Sequence, residues 1–291
     1  MNKILYSLFF AVLMVTFFNC SKQTTVPVYE YPDTYDISLL EVSQNYFNTS
    51  DYTENARAIQ VVGDTLLFVH SRGNNKVISF SLEIKGDISS AVFQQSFSTE
   101  NYIGSTAQGE HGHGFFIRQN DLKKMWLFNR TEIWEFDLEE AGKISSGVYS
   151  DYLDLTDYVE RGHGIYFHPK GTHLYIDDRN KEMIHQFSLS VAWSISCFDG
   201  YVTLDISDNH EAVRAVSFHP NGSHMYLLDT DLQQIQHYQL SRPWQIESVV
   251  FHQKLTVSIS NPRSFAWNSD GTIAYVMNTD DGVIYEFVMG E

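Results

Sequence analysis

The sequence predicts an all-β chain folded as a β-propeller, with five four-stranded blades closed by pairing an N-terminal outer strand with the C-terminal blade. Three observations predict it. A unit of about fifty residues recurs along most of the chain, each unit holds short β-branched and aromatic runs broken by turn residues, and the last unit stops one run short.

The units can be laid out in order. The clearest copies are RGHGIYFHPKGTHLYIDDRNKEMIHQFSLS from 161, AVRAVSFHPNGSHMYLLDTDLQQIQHYQLS from 212 and NPRSFAWNSDGTIAYVMNTDDGVIYEFVM from 261. Looser copies begin at 54 and 111. Aligned on the first run, equivalent positions are Arg57, His113, His163, Arg214 and Arg263, separated by steps of 56, 50, 51 and 49 residues. Each copy reads as a strand, a Pro/Gly or Asp-Gly turn, a second strand, a polar loop, a third strand with alternating apolar residues, a linker and a fourth strand. Four antiparallel strands in a unit of this length match a propeller blade. The last copy ends after three strands, and ISLLEVSQNYF in the 38–48 region can supply the fourth, leaving no frayed edge.

The pattern of apolar strand, F-x-P-x-G turn, second strand and Tyr/Phe-x-Leu-Ser strand resembles β-propeller repeats of the lactonase-like and surface-layer type. The linkers Ala192-Trp193-Ser194-Ile195 and Pro243-Trp244-Gln245-Ile246 resemble Trp-containing connectors in repeats of that kind. The resemblance covers roughly residues 54–291. It implies a fold and scarcely an activity, because propellers host hydrolases, lyases, redox enzymes and binding platforms alike.

The first residues follow a different logic. Met-Asn-Lys precedes a run of apolar or small residues, Ile4 to Phe18, too short to span a bilayer and suited to the apolar core of a secretory signal. Cys20 directly after it resembles the lipidated cysteine of a bacterial lipoprotein, although Phe18 and Asn19 depart from the usual small residues. The expected organisation is a signal peptide at 1–19, a tether at 20–36 and one propeller domain at 37–291. The expected location is the cell envelope, lipid-anchored to a bacterial membrane. Cys197, the other cysteine, has no intrachain disulfide partner if Cys20 is lipidated.

Charge narrows the partners. Thirty-six acids against 19 Lys and Arg leave a formal net charge of -17. Such a chain is repelled by nucleic acid and by anionic head groups, so the expected partner is a small polar or anionic ligand or an envelope protein, with the membrane met only through the lipid.

Histidines invite a metal or catalytic reading. His168 and His173 recur as His219 and His224 around the same turn, with Asn268 at the corresponding place in the last copy, and so belong to the repeat. His163 differs, because it starts a first strand, where the other copies carry Arg57, His113, Arg214 and Arg263. Five cations or potential cations thus converge on the axis, which suits an anion or intervening carboxylates. Asp177 and Asp229, in the segments leading to the loops after the second strands, are the carboxylate candidates, and the funnel is expected to open on that face. His111, His113 and His163 are weak zinc candidates, opposed by the three arginines, and the expectation is no metal and no cofactor. No Gly-x-Ser-x-Gly elbow, activated cysteine or P-loop is present. The expected function is therefore binding without catalysis, with no catalytic residue assigned. The alternative is a lactonase-like or glycosidase-like hydrolase using His and Asp in the same funnel.

Overall fold

The computed structural model describes residues 34–103 and 112–290. Within them stand five four-stranded antiparallel sheets. Blade 1 consists of Ala56–Val62, Leu66–Ser71, Lys76–Leu82 and Ala91–Ser98, ordered from the axis outward. Blade 2 consists of Gly114–Ile117, Lys124–Phe128, Glu132–Leu138 and Gly147–Asp154, and blade 3 of Gly162–Phe167, His173–Asp178, Met183–Leu189 and Phe198–Asp205. Blade 4 consists of Val213–Phe218, His224–Asp229, Gln234–Leu240 and Val249–Thr256. Blade 5 takes Pro262–Trp267, Ile273–Asn278 and Val283–Met289, and its fourth strand is Leu40–Asn48, paired antiparallel from Leu40↔Met289 to Asn48↔Val283.

The burial pattern explains why the repeat is legible. Second strands are buried nearly throughout, as in His224–Asp229, because each sheet is covered on both faces by neighbouring blades. Outer strands alternate exposed and half-buried residues, as in Ala91–Ser98. Apolar clusters fill the spaces between blades. One, for example, joins Trp126 and Phe128 of blade 2 to Phe167 and Ile176 of blade 3, and another joins Val69 and Phe80 of blade 1 to Tyr275 and Met277 of blade 5.

The segment leading into the fourth strand is the same in all five sheets. A short 3-10 turn begins with a fully buried isoleucine: Ile37, Ile88, Ile144, Ile195 or Ile246. Two residues earlier stands a residue with positive φ, which is Gly86, Gly142, Trp193, Trp244 or Tyr35. The Trp193 and Trp244 rings pack on Gly171 and Gly222, where a Cβ would strike the indole, and Tyr35 packs on Gly271 in the same way. Tyr35 and Asp36 therefore belong to the fold rather than to the tether expected at 20–36. Tyr35 donates its N–H to Gly271 and accepts from the Tyr226 hydroxyl at 2.8 Å, while Asp36 caps the turn by accepting from the Ser38 N–H. Tyr275 Oη donates to the Gly86 carbonyl at 2.6 Å, stitching blade 5 to blade 1.

Two faces result. The turn face carries the first-to-second-strand turns and these connectors. The loop face carries the starts of the innermost strands and the loops between second and third strands.

Candidate functional site

Four of the five innermost strands begin with a small irregularity. The register shifts between Ala56 and Ala58, Gly162 and Ile165, Val213 and Ala215, and Pro262 and Ser264. The extra residue at each bulge is Arg57, His163 (with Gly164), Arg214 or Arg263, and His113 directly precedes the corresponding strand of blade 2. A bulge frees its residue from the ladder and re-aims the side chain. Repeated around the axis, it turns a sequence repeat into a collar of Arg and His side chains.

The collar is tight and largely dry. His113 and His163 are each 4% exposed and Arg214 6%. The two imidazoles meet edge to face, with ring centroids 4.5 Å apart, and Arg214 Nη1 contacts His163 Nε2. Both ring nitrogens of His113, Nδ1 of His163, and Nε of Arg57, Arg214 and Arg263 are buried without a hydrogen-bond partner among the described residues. Buried polar groups left unmatched are costly, and here they are concentrated at one point.

Electrostatics agrees. Burial, then repulsion from Arg263, Arg72 and Arg161, presses the Arg57 guanidinium down to about 9. Burial, then Arg263 and Arg179, presses Arg214 down to about 8. Arg263, Arg72 and Arg161 are also lowered, each first by burial and then by other arginines. Burial foremost, then neighbouring cations, holds His113 and His163 well below the usual imidazole value, so both are neutral near pH 7. Arg72, Arg130, Arg161 and Arg179 form an outer tier on the loop face. None of these four stands among the candidates read from the sequence.

The carboxylate candidates divide. Asp177 lies beside the collar, fully buried, with Oδ1 accepting from the Gly164 N–H at 2.5 Å and Oδ2 3.8 Å from His163 Nδ1. Burial raises its carboxyl to about 8, so it is protonated at neutral pH and adds no negative charge. Asp229 sits one register step later than Asp177. It pairs with Gln234, as Asp178 pairs with Met183. Its carboxylate accepts from the backbone N–H groups of Glu211, Ala212 and Leu232 at 2.8–2.9 Å and faces His210 at 3.4 Å, which ties the loop-face turns and keeps it out of the cavity wall. The position equivalent to Asp177 in blade 1 is His70, missed in the sequence, with both ring nitrogens buried and unmatched beside Arg57.

Inward from the collar runs a cavity of about 350 Å3. Arg57, His113, His163 and Arg214 form its floor, followed by small residues at Ala58, Gly114, Gly164 and Ala215. Its rim is made by Gly63, Gln119, Pro220 and Ser269, all exposed, so the mouth lies on the turn face. The sequence predicts an opening on the loop face instead. The physical reason for the difference is that the collar side chains fill the axis there, whereas small and half-buried residues leave it open on the other side.

His168 and His219 are turn fixtures, each accepting on Nδ1 from a backbone N–H two residues on, that of Lys170 and of Asn221. Among the described residues, no group of three or more His, Cys, Asp or Glu could hold a metal ion. His111, the third zinc candidate, and Cys20 lie outside the described residues, as does the signal segment 1–19.

No protein-family model matches the chain, and no curated protein sequence matches it. Among solved structures it is similar to a protein from Bacteroides uniformis provisionally named a 6-phosphogluconolactonase, at 14% identity over 80% of this chain and 66% of that one, with TM-score 0.49. It is also similar to a protein from Lactobacillus plantarum at 11% identity, over 74% of this chain and 61% of that one, with TM-score 0.45. The chain thus spans somewhat less than two thirds of the length of these structures.

Proposed function

We propose that the chain is an exported, lipid-anchored propeller of the cell envelope whose axial collar binds a small anionic ligand without chemistry. The observation that carries this is the set of buried donors on Arg57, His113, His163, Arg214 and Arg263 that have no acceptor among the described residues. One oxyanion would match several of them and relieve the mutual repulsion of the guanidiniums. Burial also favours a small molecule over a protein partner, since a folded surface does not reach donors this far inside. Export and anchoring are supported by the apolar run and Cys20 in the sequence. Calorimetric titration with inorganic phosphate tests the collar: one site weakened by Arg57→Ala is expected, and no binding at all would overturn the proposal. Mass spectrometry of the chain made in a bacterial host tests the anchor through diacylglycerol on Cys20.

A hydrolase is the second reading, favoured by a neutral His163 beside the protonated Asp177, a pair able to pass a proton. A glycosidase-type mechanism needs a second carboxyl group at a fixed separation. Asp229, the other candidate, is held by backbone donors. Turnover of any lactone in a hydrolase panel, abolished by Asp177→Asn, would replace the binding reading with this one.

A further inference from the structure

The cavity is charged at one end only. At its floor stand the collar donors, and between floor and mouth no charged side chain lines it. Tyr166 and Ser217, at equivalent positions of blades 3 and 4, are the half-buried side chains of strands otherwise buried over their axial halves. Trp267 lines the same segment, and its indole N–H is buried without a partner among the described residues. The mouth opens opposite to the outer arginine tier, so a bulky polyanion attracted to the loop face does not meet the collar from that side. A bare inorganic ion would satisfy the floor and leave the rest of the cavity as water.

We infer that the ligand is a slender organic anion that enters head-first from the turn face, its oxyanion on the collar and its uncharged, ring-bearing body beside Tyr166, Ser217 and Trp267. This rests on the anion reading of the same collar and adds the direction of entry and the chemistry of the body. The residues next to the collar are small, Ala58, Gly114, Gly164 and Ala215, and leave room on the axis for the head. A carboxylate or phosphate on an unbranched carbon passes such a ring.

The test is a probe series on the purified chain by calorimetry: phenylbutanoate, butanoate and inorganic phosphate. Phenylbutanoate is expected to bind at least about tenfold more tightly than butanoate, since a ring removed from water is worth that much or more. Ser217→Phe, which fills the body segment, is expected to erase the advantage of the ring while leaving phosphate bound. Equal affinity for the two carboxylates in the unmodified chain would overturn the inference and leave the anion site standing. Failure of all three probes to bind would overturn both. The comparison in the unmodified chain decides the matter even if Ser217→Phe fails to fold.

Discussion

Replacing Arg214 by methionine should make the empty protein more stable while destroying its ability to bind. Arg214 is 6% exposed, and burial with repulsion from Arg263 and Arg179 presses its guanidinium from 12.5 down to about 8. A guanidinium does not release its proton at any ordinary pH, so that pressure is borne by the fold rather than relieved by titration. At about 1.4 kcal/mol per pH unit the ceiling on this strain is about 6 kcal/mol. Local relaxation and water reduce it, and replacing buried charges by apolar residues of similar volume usually gains about 1–4 kcal/mol. Methionine matches the length of the arginine stem, and the loss of the Arg214 contact to His163 sets the gain toward the lower end. For a domain of this size each kcal/mol moves the melting temperature by about 2–4 °C. Thermal unfolding at low salt in a zwitterionic buffer should therefore show Arg214→Met melting several degrees above the unmodified chain. Adding phosphate should raise the unmodified chain and leave the variant in place. A variant that melts below the unmodified chain in the absence of anions would refute the argument that the collar is strained.

The other predictions concern the scaffold. Burial, then Arg57, lowers the His70 imidazole from 6.5 to about 4. Its folded value lies below its unfolded one, so the contribution is whole above pH 6.5 and is lost as pH falls toward 4, by about 3 kcal/mol. Urea midpoints at pH 7, 5.5 and 4.5 should fall in that order, with a shallower slope for His70→Leu, and a flat profile would contradict this. Gly222 has φ +76° and a Cβ there would overlap the Trp244 indole, so Gly222→Ala should cost about 2 kcal/mol or more in urea denaturation. Asp229→Ala strands three backbone donors and should cost about 2–3 kcal/mol by the same assay, whereas a change below about 0.5 kcal/mol would show that the turns do not depend on it.

The sheets were legible because each blade repeats one burial pattern, and a residue's place in the unit determines what it touches. Arg57, Arg214 and Arg263 could be aligned with His113 and His163 from spacing alone, and the bulges place them at the axis. Register on the second strand was legible too, since the copies from 161 and 212 align Asp229 with Asp178 and not with Asp177, but the candidate pair ignored it. Asp177 and Asp229 look alike in sequence, yet one residue of offset puts the first beside His163 and the second against backbone N–H groups. Tyr35 was hidden for another reason. It fills the place of Trp193 and Trp244, but its unit is split between the two ends of the chain, so no continuous copy displays it. The direction of the mouth depends on side-chain volumes from five separate strands, which no single stretch of sequence reveals. His70 was missed because it puts a histidine where blade 3 has Asp177, within an otherwise ordinary strand sequence.

The central claim is that distant Arg and His side chains form one anion site at the axis. Calorimetric titration of phosphate into the unmodified chain, Arg57→Ala and His113→Ala tests it most directly. The account predicts a single site in the unmodified chain that weakens at least about tenfold in each variant, or about 1.4 kcal/mol. Binding of the same strength in all three proteins, or none in the unmodified chain, would contradict it.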